Sequence, residues 1–558
     1  MTVENPAPSL SPEKVGVIFV HGIGEQRRYE HLDAQARQIL EALKSQGTPF
    51  TVEIIGGSEA ALHADQDTWA AGSKGPVRIV VGDGQRVTHH LYFHEVWWGD
   101  VNERSSLAKQ IRFWLWALAV WAYPVGTGRV LHGSSDVTSP SVPGQRTTLR
   151  RLWHRSTIFL IGLIFALGGM PISILVLLIQ RLFNLRSPGI LKTLTNYVSG
   201  LKLYNQHSRY GPEFAIHPAN DDFLDTLGEP PRVSIRRRMI RTLATVAEAQ
   251  YDRWYVVAHS LGTVIALNGL METPYAWPGY FVEAQWRAFC EAGFGGPGDV
   301  LNRGEHTMPV RPVWALPDEL AYRRRIFEKF RGLLTLGSPL EKYAAIWPAR
   351  VPLSRMPAFQ DGAVWVNVFD PIDPVSSPLK AFGGHPEAIL PVPVNIGYTS
   401  SWAFLLAHLC YLKWSGASGL ADGVANWLLT GDALYLLKGR GRFGRGSRTF
   451  WCRTLVATAW YGAVFVCLCF LAGWTLRGCD AGFTPGLPER WSWFGNVWQW
   501  LWQPESLAYA GLAIACGTAV TLILGTVSYA LLFKGKADAP SPPTGGPPLP
   551  DPGLPPRS

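Results

Sequence analysis

The sequence predicts an α/β protein: a mostly parallel sheet flanked by helices, with membrane-inserted segments inside it and after it. Three observations carry this. Short runs rich in β-branched residues alternate with helix-like segments, which is the pattern of a parallel sheet. The first run, V-G-V-I-F-V at residues 15 to 20, is apolar throughout, as a strand buried on both faces is. The chain is also short of charge: 17% of its 558 residues are charged, where a soluble domain carries about a quarter. The deficit sits in four runs without Asp, Glu, Lys or Arg, at 113–128, 156–180, 454–476 and 506–533.

The elements follow in order. The first strand stops at His21-Gly22, and a helix is expected over Leu32 to Leu43. Three strand-like runs come next, Val52 to Ile55, Val77 to Val81 and His89 to Trp98, the last two joined by the turn Gly82-Asp83-Gly84-Gln85. After the first two charge-free runs the polar sequence resumes, with a helix over Arg236 to Gln250, a buried strand Trp254 to Ala258 and a helix from Leu261 to Leu270. Gly332 to Leu336, Val364 to Phe369 and Pro393 to Tyr398 extend the sheet. The resulting division is 1–110 and 191–437 for the two parts of the α/β domain, 111–190 for an inserted membrane block, 438–536 for a C-terminal pair of membrane helices and 537–558 for a Pro-rich disordered tail. Residues 274–328 read either as a lid or as a structural excursion.

The last three charge-free runs are long enough to cross a bilayer core of about 30 Å as helices. The N-terminus lacks a basic region followed by an apolar stretch, so a cytoplasmic start is expected. Both halves of the sheet must lie on one side, so the inserted block crosses an even number of times. Either 113–128 and 156–180 both span, or the second is a re-entrant hairpin broken at Gly168-Gly169-Met170-Pro171, the arrangement preferred here. The loop 128–155 carries five arginines against Asp136, which disfavours an external position. Lys438, Arg440, Arg442, Arg445, Arg448 and Arg453 before the third run, with Lys534 and Lys536 after the fourth, place the α/β domain and tail on the cytoplasmic side. Tryptophans between 491 and 502 suit a membrane interface.

The chemistry is concentrated in R-W-Y-V-V-A-H-S-L-G-T-V-I-A-L-N, residues 253 to 268. A serine hydroxyl becomes a nucleophile when its oxygen is presented on a tight turn, close to a base and beside oxyanion donors. A strand running through Ala258-His259 into Ser260 and a helix from Leu261-Gly262 provide that turn. With this motif the chain resembles the α/β-hydrolase superfamily, in particular its lipase-like branch, from whose G-x-S-x-G elbow it departs only by Ala258. V-I-F-V-H-G-I-G-E-Q, residues 17 to 26, is similar to that branch's first His-Gly turn, His21-Gly22. The resemblance implies an oxyanion hole formed by the backbone N–H groups of Ile23 and Leu261, and partners following in the order Ser, acid, His. Asp373, in D-P-I-D-P-V, matches the family's acid, with Asp370 as the alternative. His408, in A-H-L-C-Y-L-K-W, is the base favoured over His385, because one strand must separate acid from base. A histidine simply packed in a helix is the competing account of His408.

Other motifs are declined. Gly439 to Gly444 spells G-x-G-x-x-G without a preceding strand, and reads as a basic linker. Arg236 to Arg238 and Arg323 to Arg325 lack stacking aromatics, so no nucleic-acid partner is expected; solvated helix faces or anionic head-group contacts fit better. His89, His90 and His94 lack metal-ligand spacing and read as surface or strand residues, and the seven cysteines form no framework, so neither metal, cofactor nor disulfide is expected. The expectation is a membrane-anchored serine hydrolase of the lipase or esterase kind, acting on an acyl ester among membrane lipids. A thioesterase, acyltransferase or peptidase would use the same triad, and a non-catalytic membrane scaffold or transport component is the reading from another class.

Overall fold

The computed structural model describes residues 11–22, 28–46, 51–55, 77–82, 86–101, 204, 230–298, 312–346, 351, 358–359, 362–373, 375–380, 382, 392–399, 404–412, 419–438, 442–443 and 447–459. The runs 113–128, 156–180 and 506–533, most of 454–476, the loop 128–155, the tryptophan band, the Pro-rich tail, Ile23 and His385 lie outside them. Among the described residues no helix is long and apolar enough to cross a membrane.

The sheet is built from β1 (Glu13–Val20), β2 (Thr51–Ile55), β3 (Val77–Gly82), β4 (Val87–Val96), β5 (Arg253–His259), β8 (Phe330–Leu336), β9 (Val364–Phe369), β10 (Val394–Tyr398) and β11 (Arg442–Phe443), in the order β11-β10-β9-β8-β5-β1-β4-β3-β2. β6 (Gly295–Pro297) and β7 (Glu319–Ala321) form a separate antiparallel pair. The six strands β10, β9, β8, β5, β1 and β4 run parallel to their neighbours. β2 and β3 are antiparallel at one edge, and β11 at the other. The helices are α1 (Glu30–Ser45), α2 (Pro231–Glu248), α3 (Gly262–Leu270), α4 (Glu283–Glu291), α5 (Arg323–Ile326), α6 (Leu340–Ile346), α7 (Phe404–Leu409) and α8 (Leu420–Thr430), with a further helix at 448–459.

The period of two along each strand divides the core. In β1, Ile18 and Val20 face the α2 and α3 side, whereas Val15, Val17 and Phe19 face α1 and α8. In β5, Trp254, Val256 and Ala258 join the first group, and Tyr255 and Val257 the second. All of these residues are buried, which is why neither strand shows a polar alternation in sequence. Pro231 opens α2 at a position where its missing N–H costs nothing.

The observed arginines differ from expectation. Arg237 and Arg238 are buried, and Arg238 forms a forked ion pair with Asp100, with Nη2 2.9 Å from Oδ2. Arg236 pairs with Glu272 at 2.9 Å. Buried Arg323 donates to the carbonyls of Leu270 and Glu272 and so satisfies the C-terminus of α3, while Arg324 and Arg325 remain exposed. The first triplet is thus internal structure rather than a solvated face. His94 is likewise buried, its Nε2 2.8 Å from the Tyr251 hydroxyl.

Two further observations concern boundaries. Trp277, Tyr280, Trp286 and Phe289, within 274–328, are fully buried in the main core. The compact unit extends to Ala457, beyond residue 437, because β11 adds to the sheet edge and Arg453 is buried; Arg442 and Phe443 are therefore strand rather than linker. The second unit, Thr458–Ser558, is described only at its first two residues.

Candidate active site

β5 ends at His259 and α3 starts at Gly262, so the chain reverses within two residues. Ser260 takes φ 55°, in the left-handed region, at a cost of order 1 kcal/mol for a residue with a Cβ. The surroundings hold it there. The Ser260 N–H donates to the Leu336 carbonyl at 3.0 Å, and the Ser260 carbonyl accepts from the Thr263 N–H at 3.0 Å and the Thr263 hydroxyl at 2.7 Å. The Leu261 amide precedes these first helical bonds and belongs to the donors that a helix start leaves over.

The turn also explains both neighbouring glycines. A Cβ on Gly262 would lie 2.4 Å from the Val20 carbonyl oxygen and 2.5 Å from that of His21; one on Gly22 would lie 2.6 Å from the Ser260 Cβ. The end of β1 and the Ser260 turn thus meet without room for side chains.

His21 secures this contact from below. The Trp98 backbone N–H donates to its Nε2 at 3.0 Å, so the proton sits on Nδ1, which donates to the Gly22 carbonyl at 2.7 Å. The ring stacks on Trp98 at 5.0 Å. Burial pushes its pKa down to about 4, so it is a neutral structural group.

Asp373 and His408, which flank β10 in the chain, come together. His408 Nδ1 lies 2.8 Å from Asp373 Oδ2. Tyr411 donates its hydroxyl to the same oxygen at 2.8 Å, and the Val375 N–H donates to Oδ1 at 2.8 Å. Burial by itself would raise the Asp373 carboxyl, but His408 and these donors hold it below the usual carboxylate range. The ionised carboxylate keeps the proton of His408 on Nδ1, which makes Nε2 the basic nitrogen. His259, the residue before Ser260, donates from Nε2 to the His408 carbonyl at 2.7 Å, and the two rings lie 4.8 Å apart. Burial, followed by the neighbouring His408, lowers His259 to about 3.

Ser260 is 1% exposed, and its Oγ has no hydrogen-bond partner among the described residues. A buried hydroxyl without a partner is costly to keep, and it leaves the oxygen free to engage a base or a reacting carbonyl. Gly337, at φ 59°, passes where a Cβ would come within 3.1 Å of His408 Nδ1 and 3.2 Å of Asp373 Oδ2, so β8 turns away directly beside the pair.

Asp370, the other carboxylate considered from sequence, is engaged elsewhere. Arg453 binds it with two nitrogens, Nε to Oδ1 at 2.8 Å and Nη2 to Oδ2 at 2.5 Å, and Oδ1 also accepts the Ile372 N–H at 3.0 Å. Sequence reasoning missed three participants. Tyr411 was visible as an aromatic after His408, but nothing marked its hydroxyl for Asp373. Arg453 reads, in sequence, as one of the basic residues before the charge-free run 454–476. Lys342 donates to the carbonyls of Ser376 and Val375 at 3.0 and 3.3 Å, and burial lowers its pKa to about 8 against the pull of Asp373 and Glu341.

Among the described residues no group of histidine, cysteine or acidic side chains is placed to hold a metal ion. In comparisons with protein-family models, curated proteins and solved structures, none matches the chain.

Proposed function

We propose that the chain is a serine hydrolase of the α/β-hydrolase kind that cleaves carboxylic esters, with acyl lipids of the surrounding membrane as the substrate class. The observation that carries the reading is the Asp373 and His408 pair, with His408 packed on His259, the residue before a serine held at φ 55° between a strand and a helix. The sheet order, with Ser260 after the central β5, the acid after β9 and the base after β10, supports it.

In this reading Ser260 Oγ attacks the acyl carbonyl while His408 Nε2 takes its proton. Asp373 orients the imidazole and stabilises the imidazolium, and the Leu261 and Ile23 amides receive the oxyanion. His408 then protonates the leaving alcohol, and water reverses the sequence to release the acid. The membrane part rests on the length of the charge-free runs, which suits helices crossing a bilayer.

A fluorophosphonate probe tests the reading on the full chain in detergent. Wild type should be labelled and Ser260→Ala should not; an unlabelled wild type refutes it. Release of fatty acid from phospholipid vesicles, compared with a short water-soluble ester, tests the substrate class.

A further inference from the structure

We propose that Arg453 is a positioning residue of this site: through a forked, fully buried ion pair it holds Asp370, and Asp370 frames the loop that carries Asp373. The inference rests on the serine-hydrolase reading and extends it to a residue beyond the sheet.

Asp370 follows β9 directly and is the hub of residues 370 to 377. Its N–H donates to the Tyr411 hydroxyl oxygen at 3.0 Å. Its carbonyl accepts the Asp373 N–H at 3.0 Å and the Ser376 hydroxyl at 2.9 Å. Its carboxylate accepts the Ile372 N–H. Asp373 is therefore tied to Asp370 through its own backbone, through Ile372 and through Tyr411, which donates onward to Asp373 Oδ2.

A frame of this kind needs its charge compensated. Asp370 and Arg453 are both 0% exposed, and a buried carboxylate without a partner is strongly unfavourable. Two parallel nitrogen contacts also fix its plane, which a single lysine contact would not. Compensation matters electrostatically as well. Tyr411 touches both the Asp370 N–H and Asp373 Oδ2, so an uncompensated charge at Asp370 would act on the oxygen that holds His408. Arg453 comes from the helix at 448–459, directly before the charge-free run 454–476. The site is thus completed by a residue from beyond the last strand of the sheet.

The test uses the full chain in detergent, with fluorophosphonate labelling rates measured against pH and amide exchange followed over residues 370 to 377. Arg453→Met should lower the labelling rate at least tenfold, move the acid limb of the profile to higher pH and remove exchange protection from the loop; Arg453→Lys should restore part of each. If Arg453→Met does not fold, Arg453→Met with Asp370→Asn removes both charges and should label slowly with the pH midpoint of wild type. Wild-type rate, midpoint and protection in a folded Arg453→Met chain overturn the proposal. A wild type that takes no label refutes the hydrolase reading instead. The clamp is then judged by exchange: protection lost in Arg453→Met supports it, and protection kept overturns it.

Discussion

Replacing Asp373 with asparagine should disable the site while leaving the fold nearly intact, and the hydrogen bonds show why. Oδ2 accepts from His408 Nδ1 and from Tyr411, and Oδ1 accepts from the Val375 N–H. An asparagine must put its NH2 group at one of these places. At the Oδ1 place it would face the Val375 donor and leave a buried N–H unpaired, at about 1–3 kcal/mol. At the Oδ2 place it can donate to His408 Nδ1 and to the Tyr411 oxygen, and the Tyr411 hydroxyl proton, losing its acceptor there, can turn to Ser376. The second arrangement wins, and it forces the His408 proton onto Nε2, where the base can no longer take the serine proton. Loss of the correct tautomer costs on the order of 10³–10⁴ in rate, or roughly 4–5.5 kcal/mol of barrier. The assay is the second-order rate of fluorophosphonate labelling, run beside thermal unfolding. Labelling within threefold of wild type in a folded Asp373→Asn chain would refute the role given to Asp373.

Further expectations follow from the same geometry. His21 and His94 stay neutral when folded because burial lowers each from 6.5 to about 4, whereas in the unfolded chain they titrate near 6.5. The unfolded state therefore binds more protons below about pH 6.5. Stability is full above that pH and falls as pH drops towards 4, by roughly 3 kcal/mol for each histidine. Urea midpoints from tryptophan fluorescence should move down steadily between pH 7.5 and 4.5, and a flat profile would contradict the two burials. Gly262→Ala places a Cβ against two backbone oxygens that cannot swing aside, so a loss of about 1–3 kcal/mol together with slowed labelling is expected; unchanged melting and labelling would show that the contact is not tight. Tyr411→Phe removes a donor from Asp373 and an acceptor from the Asp370 N–H, and should cost about 1–3 kcal/mol while raising the Asp373 pKa. A variant with wild-type melting and an unaltered acid limb of the labelling profile would argue against that bridge.

Much of the sheet was legible because its signals are local. The run at 15–20 and the strand Trp254–Ala258 are apolar at consecutive positions, and each appears within a residue or two of the expected place, as Glu13–Val20 and Arg253–His259. The Ser260 turn was legible for the same reason: a strand, two residues and a helix are adjacent in sequence. The antiparallel pair β6 and β7, helix α8 and strand β11 carried no comparable signal, being short or, for α8, without a distinct boundary in a generally apolar stretch.

Arginine exposed a different weakness of sequence reading. Arg238 and Arg453 look like surface charge because nothing nearby in sequence neutralises them. Their partners, Asp100 and Asp370, stand 138 and 83 positions away. His21, in the expected oxyanion turn, holds Trp98 and Gly22 with its two ring nitrogens, partners that the sequence does not mark.

The sequence by itself determined the alternation of strands and helices, the strand-serine-helix turn and the charge-free runs, because each is set by the order of neighbouring residues. Only the tertiary structure decided which of two carboxylates meets His408. Asp370 and Asp373 lie three positions apart with the same chemistry, and the choice is made by what approaches each from far along the chain: Arg453 for one, His408 and Tyr411 for the other.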